Sequence, residues 1–185
     1  MSDAELRYPI GKFQPNTAPD SKPNMKVHED ERRKLLAQVE EAPKKLRAAV
    51  AGLSREQLAT PYRDGGWTVQ QVVHHLADSH MNAYVRFKLA LTEDEPTIKP
   101  YNETRWAELS DSKTTPVETS LAMFDALHER WLHLMRGMSA TDFARKLKHP
   151  EHGTVALDHM LGLYAWHGRH HVAHITGLRE RKGWK

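Results

Sequence analysis

The sequence predicts an all-α protein built as a four-helix bundle, and three observations carry that prediction. Four segments of roughly 22 to 28 residues place apolar side chains at helical spacing. Two of them open on a Thr with Gln or Glu three positions later, the signature of a capping box. The connections are of medium length and carry the turn residues, so neighbouring helices can bury their apolar faces against one another.

In chain order, residues 1–24 hold four prolines (Pro9, Pro15, Pro19, Pro23) and no helical period. They read as an extended, proline-rich arm that packs on the body or on a partner, with Tyr8-Pro9-Ile10 and Phe13 as anchors. The first helix spans Val27 to Leu53, with an apolar stripe of Leu35, Leu36, Val39, Ala42, Leu46, Ala49, Val50 and Leu53 and a kink expected at Pro43. Thr60 to Trp67 is a turn-rich loop, and Thr68-Val69-Gln70-Gln71 caps a second helix that runs to Thr92. A polar connection to Thr115 holds one short helix around Glu103 to Leu109. Thr115-Pro116-Val117-Glu118 then offers an N-cap, a proline at the first helical position and a box glutamate, opening a third helix to Met138. Ser139-Ala140-Thr141-Asp142 caps a single turn, Lys146 to Val155 forms a small hairpin or an irregular loop, and the fourth helix runs from Leu157 to Lys182.

With 185 residues and 39% hydrophobic content the chain supports one core, so residues 1–185 form a single domain. No apolar run approaches the roughly 18 to 20 residues of a membrane span, and MSDAELRYPIGKF lacks a signal-peptide core, so the expected location is the cytoplasm. A net charge of +3 is spread over interleaved acids and bases, which argues against nucleic acid as a partner. There is no cysteine, so any metal must be held by nitrogen and oxygen. Nucleotide fingerprints and a Ser-His-Asp signature are also missing.

Histidine is the residue in excess, at thirteen. His167, His170, His171 and His174 fall within nine positions of the fourth helix, and the pairs His167/His171 and His170/His174 have the i, i+4 spacing that stacks two imidazoles on one face. At about 100° per residue, His171 lies in the stripe of Leu157, Met160, Tyr164, Ile175 and Leu178. His167 is about 40° away, His174 about 60° and His170 about 100°, so His167 and His171 point inward while the other two flank them. Two adjacent buried imidazoles need a shared partner to offset desolvation, and a metal ion is the simplest. A third ligand is expected from the second helix, His74-His75-Leu76-Ala77-Asp78-Ser79-His80. Its apolar stripe is centred nearest His80, whereas His75 shares a largely polar row with Thr68, Val72, Ser79, Asn82 and Arg86, and His74 points away toward solvent. Spacing leaves His75 and His80 equally eligible.

Tyr8-Pro9-Ile10-Gly11, Thr60 to Thr68, the run Gln71 to Asn82 and Leu161-Gly162-Leu163-Tyr164-Ala165-Trp166-His167 together resemble the YfiT-like branch of the DinB-like metalloprotein superfamily, along essentially the whole chain. The resemblance implies an up-and-down four-helix bundle with a divalent metal on one histidine of the second helix and an H-x-x-x-H pair of the fourth. It selects His75, which precedes Leu76, together with His167 and His171.

Three imidazoles and a vacant position form a catalytic arrangement that activates water or a thiol, with zinc or nickel as the fitting ion. The resemblance implies a metal-dependent hydrolase, or alternatively a bacillithiol-type thiol S-transferase acting on small electrophiles. A metal-binding stress-response bundle without chemistry is a third reading, supported if His80 filled the fourth position. Partners are then a small-molecule substrate and, from the arm and the aromatic residues, a second copy of the chain. Asp78, Asn82 and Arg86 are candidates to orient substrate, Arg63 and Asp64 to reach the bundle mouth or pair with each other. Trp67 reads as a core anchor, and Arg179-Glu180-Arg181-Lys182 as a solvated helix end.

Overall fold

The computed structural model describes residues 2–14, 25–151 and 153–185. From the N-terminus the chain forms α1 (Asp3–Arg7), the long α2 (Met25–Val50), the single turn α3 (Arg55–Leu58), the long α4 (Val69–Thr92) and the short α5 (Glu103–Ala107) and α6 (Ser110–Thr114). The long α7 (Val117–Arg136), the turn α8 (Ala140–Phe143), the hairpin β1 (Lys146–His149) and β2 (Gly153–Ala156), and the long α9 (Leu157–Lys182) complete it. No helix among the described residues is long and apolar enough to cross a membrane.

Local sequence explains most boundaries. Thr68 and Gln71 form the capping box that opens α4, and Ser139 with Asp142 does the same for α8. Gly183, at φ 65°, closes α9 in the left-handed conformation that favours glycine. The segment 146–156 is the hairpin, antiparallel, with Leu147 opposite Val155. Helix α2 continues through Pro43.

Four expectations need correction. The arm is not wholly extended: Ser2 and Glu5 form a capping box that holds one turn, too short to show a hydrophobic period. Its Pro15, Pro19 and Pro23 lie outside the described residues. Helix α7 starts after Pro116 without a side-chain cap, because the N-cap position falls on Pro116, which has no side-chain acceptor, rather than on Thr115, and the Glu118 carboxylate pairs with Arg47 of α2 at 2.8 Å. The connection from α4 to α7 holds two short helices rather than one.

The last correction concerns direction. Arg32 bonds Asp158 and Arg179 donates to the Ala49 carbonyl, so α2 and α9 run parallel. His74 beside Ser120 and Phe87 on Trp131 make α4 parallel to α7. His75 on His171 and Arg86 on Tyr164 make α4 antiparallel to α9. The four-helix bundle therefore stands, but its helices run up, down, down, up rather than alternating. The physical reason is the connection 93–116, which returns along α4, with Gln71 donating to the Ala107 carbonyl at 2.7 Å.

The core divides into two apolar layers. One gathers Phe87, Trp131, Phe143, Leu147 and Leu161; the other gathers Leu46, Leu76, Phe124, Ile175 and Leu178. Each large side chain so buried contributes roughly 1.5–3 kcal/mol. Between the layers runs a belt of histidines, with His80 on α4, His128 on α7 and His167 and His171 on α9. Helices α2 and α9 approach closely at Gly168, where a Cβ would lie 3.3 Å from the Cβ of Ala42.

Candidate metal centre

Because α4 and α9 run antiparallel, His75 in the second turn of α4 faces the middle of α9. The Nε2 atoms of His75 and His167 lie 3.2 Å apart, and one nitrogen from each of His75, His167 and His171 falls within 4.8 Å of the others. The ring of His171 stands edge-on to both, with centroids at 4.7 Å from His75 and 4.5 Å from His167. Two imidazole nitrogens on one tetrahedral zinc, each about 2.0–2.1 Å from it, would be about 3.3 Å apart, so the three rings fit a shared ion.

Burial keeps these rings neutral, which is the form that binds metal. It lowers His75 to about 3, with the neighbouring His170 and His174 adding to the effect. Burial likewise holds His167 and His171 well below the usual imidazole range. Trp67 is half-buried and packs on the site itself, its ring 4.6 Å from His75 and stacked at 6.2 Å on His171, so it serves the centre as much as the core.

His80 stands one shell out. Fully buried, its Nε2 lies 3.2 Å from His167 Nδ1 and its Nδ1 lies 2.9 Å from His128 Nε2, while His128 Nδ1 lies 2.9 Å from the Val39 carbonyl. On the other side His174, stacked on Tyr62 at 4.0 Å, places Nδ1 3.3 Å from His171 Nδ1 and Nε2 3.0 Å from the Arg7 carbonyl. His170 stacks on Trp166 at 4.3 Å and is buried, its Nδ1 without a hydrogen-bond partner among the described residues.

His74 is not solvated. It is 5% exposed, with its nitrogens 2.7 Å from the Ser120 hydroxyl and 3.0 Å from the Thr115 carbonyl, because the returning connection and the start of α7 cover that face of α4. Asp78 is half-buried one turn from His75, and burial, then Asp111, raises its carboxyl to about 6. Asn82 spends its amide on the Asp78 carbonyl of its own helix. Arg86 is buried and donates to the Tyr164 hydroxyl at 3.3 Å. Arg63 donates to the Asp64 carbonyl and pairs with Asp3 of the arm at 3.3 Å. The end of α9 is less solvated than expected, since Arg179 and Arg181 donate to the carbonyls of Ala49, Ala51 and Tyr62.

Sequence reasoning missed His128. The signal was present: it lies in the apolar stripe of α7, in register with Leu121, Phe124, Trp131 and Met135.

Comparison with known proteins supplies the family. A family model described as the DinB superfamily matches residues 38–175. A protein of Bacillus mycoides named a putative metal-dependent hydrolase is 52% identical over 180 residues, covering 97% of this chain and 99% of its own. One of the same description from Oceanobacillus iheyensis is 51% identical over 178 residues, covering 96% and 98%. Among solved structures, YfiT from Bacillus subtilis, described as a probable metal-dependent hydrolase with an unusual four-helix bundle topology, superposes with a TM-score of 0.89 at 49% identity over 98% of this chain and 99% of that one. With its bundle, its histidine belt and a family match over most of its length, the chain belongs to the DinB superfamily.

Proposed function

We propose that the chain is a metal-dependent hydrolase of a small-molecule substrate, with a divalent ion held by His75, His167 and His171. The observation that carries this reading is the convergence of three neutral imidazoles, His75 and His171 buried and His167 half-buried, that no further nitrogen or carboxylate of the described residues joins. Three protein ligands with a free position are the catalytic pattern, whereas a structural site would be closed by a fourth. A bound ion would supply Lewis acidity and bring the pKa of a coordinated water down to about 7. Zinc or nickel suits an all-nitrogen donor set better than magnesium or calcium, which prefer oxygen. Trp67 packs against the rings of His75 and His171.

The same donor set also accepts a thiolate. The chain has no cysteine, so that sulfur would come from a cosubstrate such as bacillithiol, and the names of the relatives favour water. The proposal includes a cytoplasmic location and a homodimer, the latter checked by light scattering.

The test is metal analysis of the purified protein, then hydrolysis of an ester and amide panel with and without added zinc or nickel. Close to one ion per chain, lost in His171→Ala together with hydrolysis, supports the reading. Stoichiometric metal in His171→Ala overturns the ligand set. Metal-dependent transfer of bacillithiol to monochlorobimane without any hydrolysis overturns the choice of water.

A further inference from the structure

The three histidines of the site account for only part of the belt, and the hydrogen bonds of the rest have a direction. A backbone carbonyl oxygen only accepts, and a neutral imidazole carries a single N–H. His128 therefore donates through Nδ1 to Val39, 2.9 Å away, and must accept at Nε2. The group facing that nitrogen is His80 Nδ1 at 2.9 Å, which must donate, leaving His80 Nε2 as an acceptor. His167 Nδ1, 3.2 Å from it, then carries the proton, and the lone pair of His167 is left on Nε2, the atom that faces His75.

A second chain repeats the logic. His174 donates through Nε2 to the Arg7 carbonyl at 3.0 Å and accepts at Nδ1 the hydrogen bond donated by His171 Nδ1–H at 3.3 Å. His171 is likewise left with its lone pair on Nε2. All three outer rings, His80, His128 and His174, are buried, and no carboxylate takes part in either chain.

We infer that His80, His128 and His174 are positioning residues that fix the tautomers of both α9 ligands, presenting two Nε2 lone pairs before any ion arrives. The N-terminal arm thereby becomes part of the site through the carbonyl of Arg7. This rests on the reading of His75, His167 and His171 as metal ligands, and not on hydrolysis. Where a carboxylate accepts the N–H of a ligand histidine, it also makes the ligand more basic. Here neutral imidazoles accept it, so orientation is gained without a second negative group beside the ligands.

The test has two parts. In the metal-free wild type, long-range proton–nitrogen correlation spectra of the imidazole rings are expected to show His167 and His171 protonated at Nδ1. Zinc affinity is then measured by chelator competition for His128→Leu, His128→Gln, His174→Phe and His174→Gln. Glutamine keeps the pattern, since its amide N–H can donate to the carbonyl and its oxygen can accept from the ring. The apolar variants are expected to lose roughly 10- to 100-fold in affinity, and the glutamine variants to recover most of it. An Nε2 proton on either ligand in the metal-free wild type overturns the inference, as do glutamine variants as weak as the apolar ones. Should an apolar variant fail to fold, the wild-type spectrum decides alone. A protein that binds zinc but hydrolyses nothing sinks the hydrolase reading and leaves these outcomes intact.

Discussion

Acidification should unfold the metal-free protein at a pH where most bundles are stable. Burial places His75 and His170 at about 3 and His128 and His174 at about 4, and these rings are 4%, 6%, 1% and 3% exposed. In the unfolded chain each titrates near 6.5. Between those values the unfolded state binds protons that the native state refuses, so stability falls as pH falls through 6.5 and continues to fall until the folded values are reached. At pH 5 each ring shifts the balance by about 2 kcal/mol, and the four together by about 8 kcal/mol. Total stability for a domain is about 5–15 kcal/mol, so the effect is of the size of the whole. Thermal melts of the chelator-treated protein should show Tm dropping by about 15–30 °C between pH 7.5 and 5. Added zinc should raise Tm at pH 7.5, by about 4 kcal/mol equivalent at a thousandfold excess over Kd, and keep that effect at pH 5, where the folded site rings are still unprotonated. A metal-free Tm that moves by less than about 5 °C over this range would refute the reasoning, since the rings would then be accessible to protons in the native state.

Other perturbations separate the remaining forces. Asp78 has the opposite sign: its folded value of about 6 lies above the unfolded one, so ionisation costs stability as pH rises through 6. Asp78→Asn should therefore stabilise by about 1 kcal/mol at pH 7.5, discounted for its half exposure, with the gain gone by pH 4 in urea titrations. Gly168→Ala adds a methyl 3.3 Å from the Cβ of Ala42, and overpacking of about 1–3 kcal/mol should outweigh the helix-propensity gain of about 1 kcal/mol. A higher Tm for this variant would show that α2 yields. Trp131 is fully buried with its indole N–H unpartnered among the described residues, so Trp131→Phe should cost less than about 1.5 kcal/mol, whereas Trp131→Ala should cost about 3–5 kcal/mol in the same denaturant assay.

How far the site could be read from the chain follows from what covers each helix. On α9 the wheel orders the histidines well, because its apolar stripe faces the bundle and His167 and His171 fall beside it. It fails for His174 and His170, which are buried by Tyr62 and by the arm through Tyr8 and Arg7, residues more than fifty positions away in sequence. On α4 a single inward stripe was the wrong picture. With α7, α9 and the returning connection packed around it, His74, His75 and His80 are all buried, and what separates them is the chemistry of the wall each one meets. His74 meets a hydroxyl and a carbonyl, His80 meets two other imidazoles, and His75 meets the free nitrogen of His167. Hydrophobic periodicity reports burial and is blind to that difference, so it left His75 and His80 level. The family resemblance chose His75, and the proposed tautomer chain would give a physical reason for that choice: in it the lone pair of His80 is already spent on His167.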